Sequence, residues 1–333
     1  MKIKISTLII ITLFCSKVYC QDPIFSQTAL VPETINPGFS GFENSIYSGV
    51  MYRKQWPYLD LRVDTFYFFV NSKIDEDANH AVGGNILYQR ENNTNYHYGQ
   101  ANLNYTYHIN IVDDWYFRPA IEVGYGIKSL NFNNLVLSDQ ININSGTINN
   151  QSIDPSVPQE NRNQDFFDFA AGFVIDKKNN KDDTDFWIGA VVKHLSRPSI
   201  SFFDDRNVPL DIFYSIHANY KFKSSGNYDM YASLNYMRQS AYSRLDIGTT
   251  LKYDRFFLGV MAVTNPSKNG INNNLLTSIN PLVGIEFERF RFGFSRDFNT
   301  SNIGRTDGIY EISITYLSRC LGCYDPSNPK RRK

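Results

Sequence analysis

Between Asp211 and Tyr253, apolar and polar side chains alternate through three consecutive segments, and the period of that alternation limits what the chain can become. In the first, Ile212, Tyr214, Ile216, Ala218, Tyr220 and Phe222 share one parity. Asp211, Ser215, His217, Asn219 and Lys221 share the other, with Phe213 the exception. A period of two places the sets on opposite faces of an extended strand, not along a helix. The pattern restarts after Ser224-Ser225-Gly226-Asn227, with Met230, Ala232, Leu234 and Tyr236 against Asp229, Tyr231, Ser233 and Asn235. It restarts again after Arg238-Gln239-Ser240, with Leu245, Ile247, Thr249, Leu251 and Tyr253 against Arg244, Asp246, Gly248, Thr250 and Lys252.

A soluble sandwich also alternates, so the second face has to decide. Here the apolar face carries tyrosines near the strand ends, and the other holds Asp, Asn, Lys, Arg and Ser. Aromatic bands, an apolar middle and a polar interior describe a strand of a transmembrane barrel, and about 9–11 tilted residues cross a bilayer. The composition fits a wet lumen: 22 Tyr, 25 Phe and a mean hydropathy of −0.36. Beyond the N-terminus no apolar run reaches the roughly 18 residues of a membrane helix.

Residues 1–20 read as an export signal: Lys2 and Lys4 give the positive end, Ile5 to Phe14 the apolar core, and Cys20 the small residue before the cut. Acylation of Cys20 would need small residues just before it, where Lys17, Val18 and Tyr19 stand. Loss of Lys2, Lys4 and Lys17 lowers the 33 basic groups to 30 against 33 acidic ones, which is no nucleic-acid signature. Only Cys320 and Cys323 then remain, so no disulfide framework holds the fold, and closing the sheet on itself is the alternative.

Strands are predicted near 45–53, 63–72, 81–91, 96–110, 114–131, 164–177, 184–194, 210–223, 227–239, 242–253, 255–264, 278–288, 290–298 and 307–317. All the long connections fall at the odd-numbered positions, as external loops do in outer-membrane barrels with short periplasmic turns. The expected fold is therefore an all-β transmembrane antiparallel outer-membrane β-barrel of 14 strands. It divides into the signal (1–20), an irregular N-terminal segment (21–44), the barrel (45–317) and a periplasmic tail (318–333). The segment 21–44 has three prolines, yet holds Ile24, Phe25, Leu30, Val31, Ile35, Phe39 and Phe42. It is expected to pack in the lumen near the lower mouth rather than to dangle in solvent.

Several stretches also resemble the PorP/SprF family of the type IX secretion system of Bacteroidetes. They are Gln21-Asp22-Pro23 with Phe25-Ser26-Gln27, Asn36-Pro37-Gly38-Phe39-Ser40-Gly41, and Tyr52-Arg53-Lys54-Gln55-Trp56. Further on come Tyr105-Thr106-Tyr107-His108, Phe186-Trp187-Ile188-Gly189 with Lys193-His194-Leu195, Phe292-Gly293-Phe294-Ser295 with Asp297-Phe298, and Gly308-Ile309-Tyr310-Glu311-Ile312. The resemblance spans nearly the whole mature chain. It departs at Pro57-Tyr58-Leu59 and in the long loop 132–163. It implies a non-catalytic outer-membrane protein that supports secretion and surface anchoring of an exported adhesin, used in gliding or attachment, by binding the adhesin's C-terminal sorting domain. Periplasmic or lipoprotein components of the same machinery are further implied partners, alongside outer-membrane lipid. A transport channel for a hydrophobic or small solute is the alternative.

No cofactor, metal or catalytic motif appears: there is no HExxH, no G-x-S-x-G and no phosphate-binding loop, and the five histidines lack metal spacing. The candidate sites are for partners. The loops 132–163 and 195–209 carry Ile141, Ile143, Ile148, Ile153, Val157, Phe202 and Phe203, which suit an interface core or a cover for the lumen. At the top of the first strand, Arg53 and Trp56 suit contact with cargo, a latch on the N-terminal segment, or an interface girdle. Cys320 and Cys323 read as a local periplasmic disulfide. Lys330, Arg331, Arg332 and Lys333 suit a solubilising tail or docking to an acidic periplasmic partner.

Overall fold

The alternating segments pair in sequence order into one closed sheet. The computed structural model describes residues 22–43, 45–74, 79–150, 152–154, 157, 160–179, 183–203, 206–222, 228–266, 276–300 and 306–318. Fourteen strands form the wall: β1 (Tyr47–Gln55), β2 (Val63–Lys73), β3 (His80–Glu91), β4 (His97–Tyr107), β5 (Trp115–Asn131), β6 (Asn161–Lys178) and β7 (Thr184–Lys193). The second half is β8 (Phe213–Phe222), β9 (Tyr228–Gln239), β10 (Tyr242–Tyr253), β11 (Phe256–Thr264), β12 (Leu276–Phe287), β13 (Phe290–Asn299) and β14 (Ile309–Leu317). Each pairs antiparallel with its sequence neighbours, and β14 closes on β1 from Tyr47↔Leu317 to Gln55↔Ile309. Closure satisfies the backbone within the wall, which a hydrocarbon surrounding demands.

Side chains sort by parity. Leu234 is 40% exposed on the outer surface, whereas Asn235 beside it is 3% exposed inside. The exceptional Phe213 points inward and packs with Ile35, Val191 and Met237. The fourth strand differs from its expected span: it pauses at His108, whose ring turns onto Arg118, and pairing with β5 resumes over Ile109–Val112. Tight turns at Asp113, Asp254 and Glu288 take φ of 46°, 50° and 53° at one end of the barrel. Twisted hairpin turns favour this left-handed region. The long connections gather at the other end, so that end faces outward from the cell.

Residues 22–43 run down the lumen. Asp22 lies beside His194 and Gln239 at the outer ends of β7 and β9, while Phe42 lies under Arg118 near the inner end of β5. The segment thus starts in the outer half, not at the lower mouth. Gln239, which accepts the Asp22 amide, and Glu311, which accepts those of Ser26 and Gln27, stand there. Its apolar residues form two cores with the wall: Phe25, Leu30 and Val31 with Tyr47, Met51, Tyr67 and Phe69, and Ile35 with Val191, Phe213 and Met237.

Candidate functional site

Four polar latches hold the lumenal segment. At the outer end His194, with φ of 63°, sits between two carboxylates, Asp22 Oδ2 at 2.7 Å from Nε2 and Asp168 Oδ2 at 2.7 Å from Nδ1. Burial alone would favour the neutral ring, but the Asp22 charge and the Asp168 hydrogen bond outweigh it and push His194 up to about 10. Burial likewise opposes the charged form of Asp22, yet the imidazolium holds it down to about 2. The Asp22 amide donates to Gln239 Oε1 at 2.9 Å.

The second latch is Glu311. Its carboxylate accepts the Ser26 amide on both oxygens at 2.9 Å and the Gln27 amide at 3.1 Å, and it pairs with Arg53 at 3.2 Å. Ser26 Oγ donates to Asp297 at 2.9 Å, and the Gln27 amide side chain bridges Ser295, Ser313 and the Glu311 carbonyl. The third is Asn36. Its Nδ2 donates to the carbonyls of Phe173 (2.9 Å) and Ala190 (3.1 Å), while its Oδ1 accepts from the Gly38 amide at 2.8 Å. The wall here is Gly172 and Gly189; a Cβ at Gly172 would lie 2.6 Å from Asn36 Oδ1, so the close approach requires glycine. In the fourth, Arg118 forks onto Asp176 at 2.5 and 3.0 Å and covers the Phe42 ring at 4.9 Å.

Two of the spaces beside the segment lie at different depths. One, of about 60 Å³, is enclosed in the outer half among Asn85, Gln100, Asn102 and Glu122. The other, of about 420 Å³, lies toward the periplasmic end and is lined by Trp187, Tyr231, Phe257, Lys178, Lys252 and Arg291. Glu33 lines both.

The expected partner-binding residues do not form one cluster. Arg53 is buried, paired with Glu311 and hydrogen-bonded to Gln55, so it faces the lumenal segment and not the outer surface. Trp56 is half-buried at the rim with φ of 55°, and its amide donates to the Gly308 carbonyl. Phe202 and Phe203 are also half-buried, each edge-on to Phe132 at 6.1 and 5.8 Å, which takes them out of any exposed interface core. The isoleucines are different. A small hairpin pairs Ile141–Asn142 with Thr147–Ile148 above the barrel and leaves Ile141, Ile143, Ile148 and Ile153 exposed, Ile143 at 90%. Cys320, Cys323 and Lys330 to Lys333 lie outside the described residues. The sequence marked Asp22, Asn36 and Glu311 only as parts of stretches that carry the family resemblance, with no role, and did not mark Arg118; their wall partners are remote in sequence, so only the fold brings them together.

A profile of the type IX secretion system membrane protein PorP/SprF matches residues 17–316. The chain belongs to this family. No curated protein matches it. Among solved structures, the PorP/SprF chain is similar to a Pseudomonas aeruginosa FadL homologue at 10% identity and a TM-score of 0.44, covering 85% of this chain and 92% of that one. It is similar to the Ralstonia pickettii toluene transporter TbuX at 8% identity and a TM-score of 0.45, with 85% and 92% covered. BamA from Haemophilus ducreyi lacking POTRA domains 1–3 gives 12% identity and a TM-score of 0.41, with 82% and 70% covered. As a PorP/SprF barrel, the protein is an outer-membrane component of type IX secretion, which points to a structural or secretory role.

Proposed function

We propose that this barrel anchors an exported adhesin at the cell surface by holding the adhesin's C-terminal sorting domain at its outer mouth. The observation that carries the reading is the contrast within a family member: the lumen is occupied by a latched segment, while the loops above expose Ile141, Ile143, Ile148 and Ile153. A free solute channel fits the filled lumen less well. Exposed β-branched residues on an otherwise polar loop suit an interface core. Periplasmic components of the machinery have the inner end, with its vestibule of about 420 Å³, as their contact face.

The test is to replace 135–160 by a Gly-Ser turn. Barrel strands carry the fold and loops tolerate length changes, so insertion stays intact. Display of the adhesin on intact cells falls sharply. Normal display by a correctly inserted, shortened barrel overturns the reading.

A further inference from the structure

The barrel rim is uneven, and one strand edge rises beyond the strand that pairs with it. β6 pairs with β5 along its length up to Asn131↔Asn161, but β7 pairs with β6 only as far as Val192↔Ala171. Beyond that point the β7 side of β6 receives the Leu195 amide on the Phe169 carbonyl at 2.9 Å and the Ser196 hydroxyl on the Phe167 carbonyl at 3.1 Å. Backbone groups alternate sides along a strand, so the residues sharing the parity of Phe169 and Phe167 point theirs the same way. Among the described residues, the amides of Asn163, Asp165 and Phe167 and the carbonyls of Asn161 and Asn163 have no backbone partner on that side. The Asp165 carbonyl accepts the Gln164 side chain, at 3.0 Å.

The outward side chains of β6 say where this edge lies. Phe173, Phe169 and Phe167 give way to Asp165, Asn163 and Asn161, and Tyr125 marks the change, its ring 5.2 Å from Phe167 and its hydroxyl 3.1 Å from Asp165. Apolar-to-polar succession at an aromatic residue is the hydrocarbon boundary, so residues 161–166 stand in water on the outer side. The edge spans about 20 Å at roughly 3.3 Å per residue. Exposed edges are ordinarily blunted by proline, bulges or charged side chains; Asn161 to Phe167 have no proline and no bulge, and their charges are Arg162 and Asp165.

We propose that this edge of β6 is a strand-addition site for an extended segment of the exported protein, an inference that rests on the cargo reading above and specifies its contact. A row of alternating donors and acceptors is complemented by another strand, which supplies the same groups at the same repeat. The side chains beside the edge set the chemistry of the partner. On its inner side the edge borders Phe166 and Leu210, buried in one apolar cluster beside half-buried Ile200, and on its outer side it carries the exposed Asn161, Asn163 and Asp165. The fitting segment alternates, apolar inside and polar or basic outside.

The test uses the full-length protein in its native cells. In Asn163→Pro/Asp165→Pro, the two nitrogens facing the free side lose their hydrogens while the β5 ladder keeps its own; Asn163→Ser/Asp165→Asn changes the same side chains and keeps both donors. Surface proteins are labelled with a membrane-impermeant biotin ester, and a strain without the chain identifies the protein that depends on it. That protein falls by roughly tenfold or more with the proline pair and is unchanged with the Ser/Asn pair. Full display by an inserted proline variant overturns the inference and leaves the cargo reading standing; no surface protein lost in the strain without the chain overturns both. Should the proline pair fail to insert, Asn163→Cys is capped with a bulky impermeant maleimide on intact cells before the identified protein is added back. Rebinding is then lost, and undiminished rebinding sinks the proposal.

Discussion

Two irregular segments of this barrel have similar make-up and opposite fates. Residues 22–43 and 132–160 both mix Asn, Ser and Gln with scattered apolar side chains. In the first, Phe25, Leu30, Val31, Ile35 and Phe39 are buried against the wall; in the second, Ile141, Ile143, Ile148 and Ile153 stay in solvent. Hydrophobicity does not separate them. What differs is the supply of backbone partners. The lumenal wall offers Glu311, Gln239 and the carbonyls of Phe173 and Ala190 to the segment, so apolar burial there leaves few polar groups unsatisfied. The outer loop closes hydrogen bonds on itself, through Asn142, Asp139 and Gln140, and meets another loop at Phe132, against Phe202 and Phe203, rather than at its isoleucines.

The comparison breaks most severely at Glu311. Glu311→Ala removes the acceptor of two amides and strands Arg53 in the lumen; losing one partner of a buried pair costs about 3–5 kcal/mol. Denaturant unfolding of the barrel in lipid vesicles should show that loss, together with protease cutting within 22–43. The double change Arg53→Met/Glu311→Met should lose less than the single one, since no charge is left alone. Equal losses would mean that the carboxylate's amide bonds, and not the stranded cation, dominate. A smaller effect is expected of Asn36→Ala, which frees two wall carbonyls where Gly172 and Gly189 admit no replacement side chain; about 1–3 kcal/mol is the expected cost. Stability within error of the wild chain would show that the third latch is incidental.

These two sites also mark how far the sequence was legible. Strand number, strand faces and the sorting of long and short connections came from parity, because a period of two is local information. The inward Phe213 breaks that pattern, and its reason, Ile35 beside it, is not local. Glu311 stood in the sequence only within a stretch that carries the family resemblance and had no role of its own, since its partners Ser26 and Gln27 are more than 280 residues away. Arg53 carried three readings, contact with cargo, a latch on the N-terminal segment or an interface girdle, because a cation near a strand end looks the same whether it turns to lipid headgroups or inward; its pairing with Glu311 turns it inward. The edge of β6 beyond β7 was equally hidden, because strand stagger around a barrel depends on register between strands and not on the pattern within one.

The outer latch sharpens the comparison through pH. His194 is raised to about 10 in the docked segment from an ordinary 6.5, so its contribution is full below 6.5 and is lost as pH rises through 10. Asp22 is lowered to about 2 from 3.8, so its contribution is full above 3.8 and is lost as pH falls through 2. Lys193 and Lys128 add to the field at Asp22, and Asp168 to that at His194. Docking of the first residues should therefore be tightest between 3.8 and 6.5 and loosen above. Hydrogen-exchange protection over 22–27, corrected for the intrinsic rate, should fall from pH 6.5 to 10 in the wild chain. In His194→Gln it should be low and flat. A flat profile in the wild chain would remove His194 from the latch.

The smallest stability change is expected where the exposed apolar groups are. Ile143 and Ile153 are 90% and 81% exposed, so replacing both with serine removes almost no folded-state contact. Surface substitutions of this kind stay within about 0.5 kcal/mol. If the outer loop exposes them only because it lacks anything to cover, adhesin display should be as indifferent as stability. If the loop is kept open for a partner, display should fall while the unfolding midpoint and protease pattern of the barrel remain those of the wild chain. The same pair of measurements on Glu311→Ala should give the reverse order, with stability lost first. A double serine variant that destabilises the barrel would show that the loop packs in solution after all, and that its isoleucines belong with Ile35 and Val31 rather than opposite them.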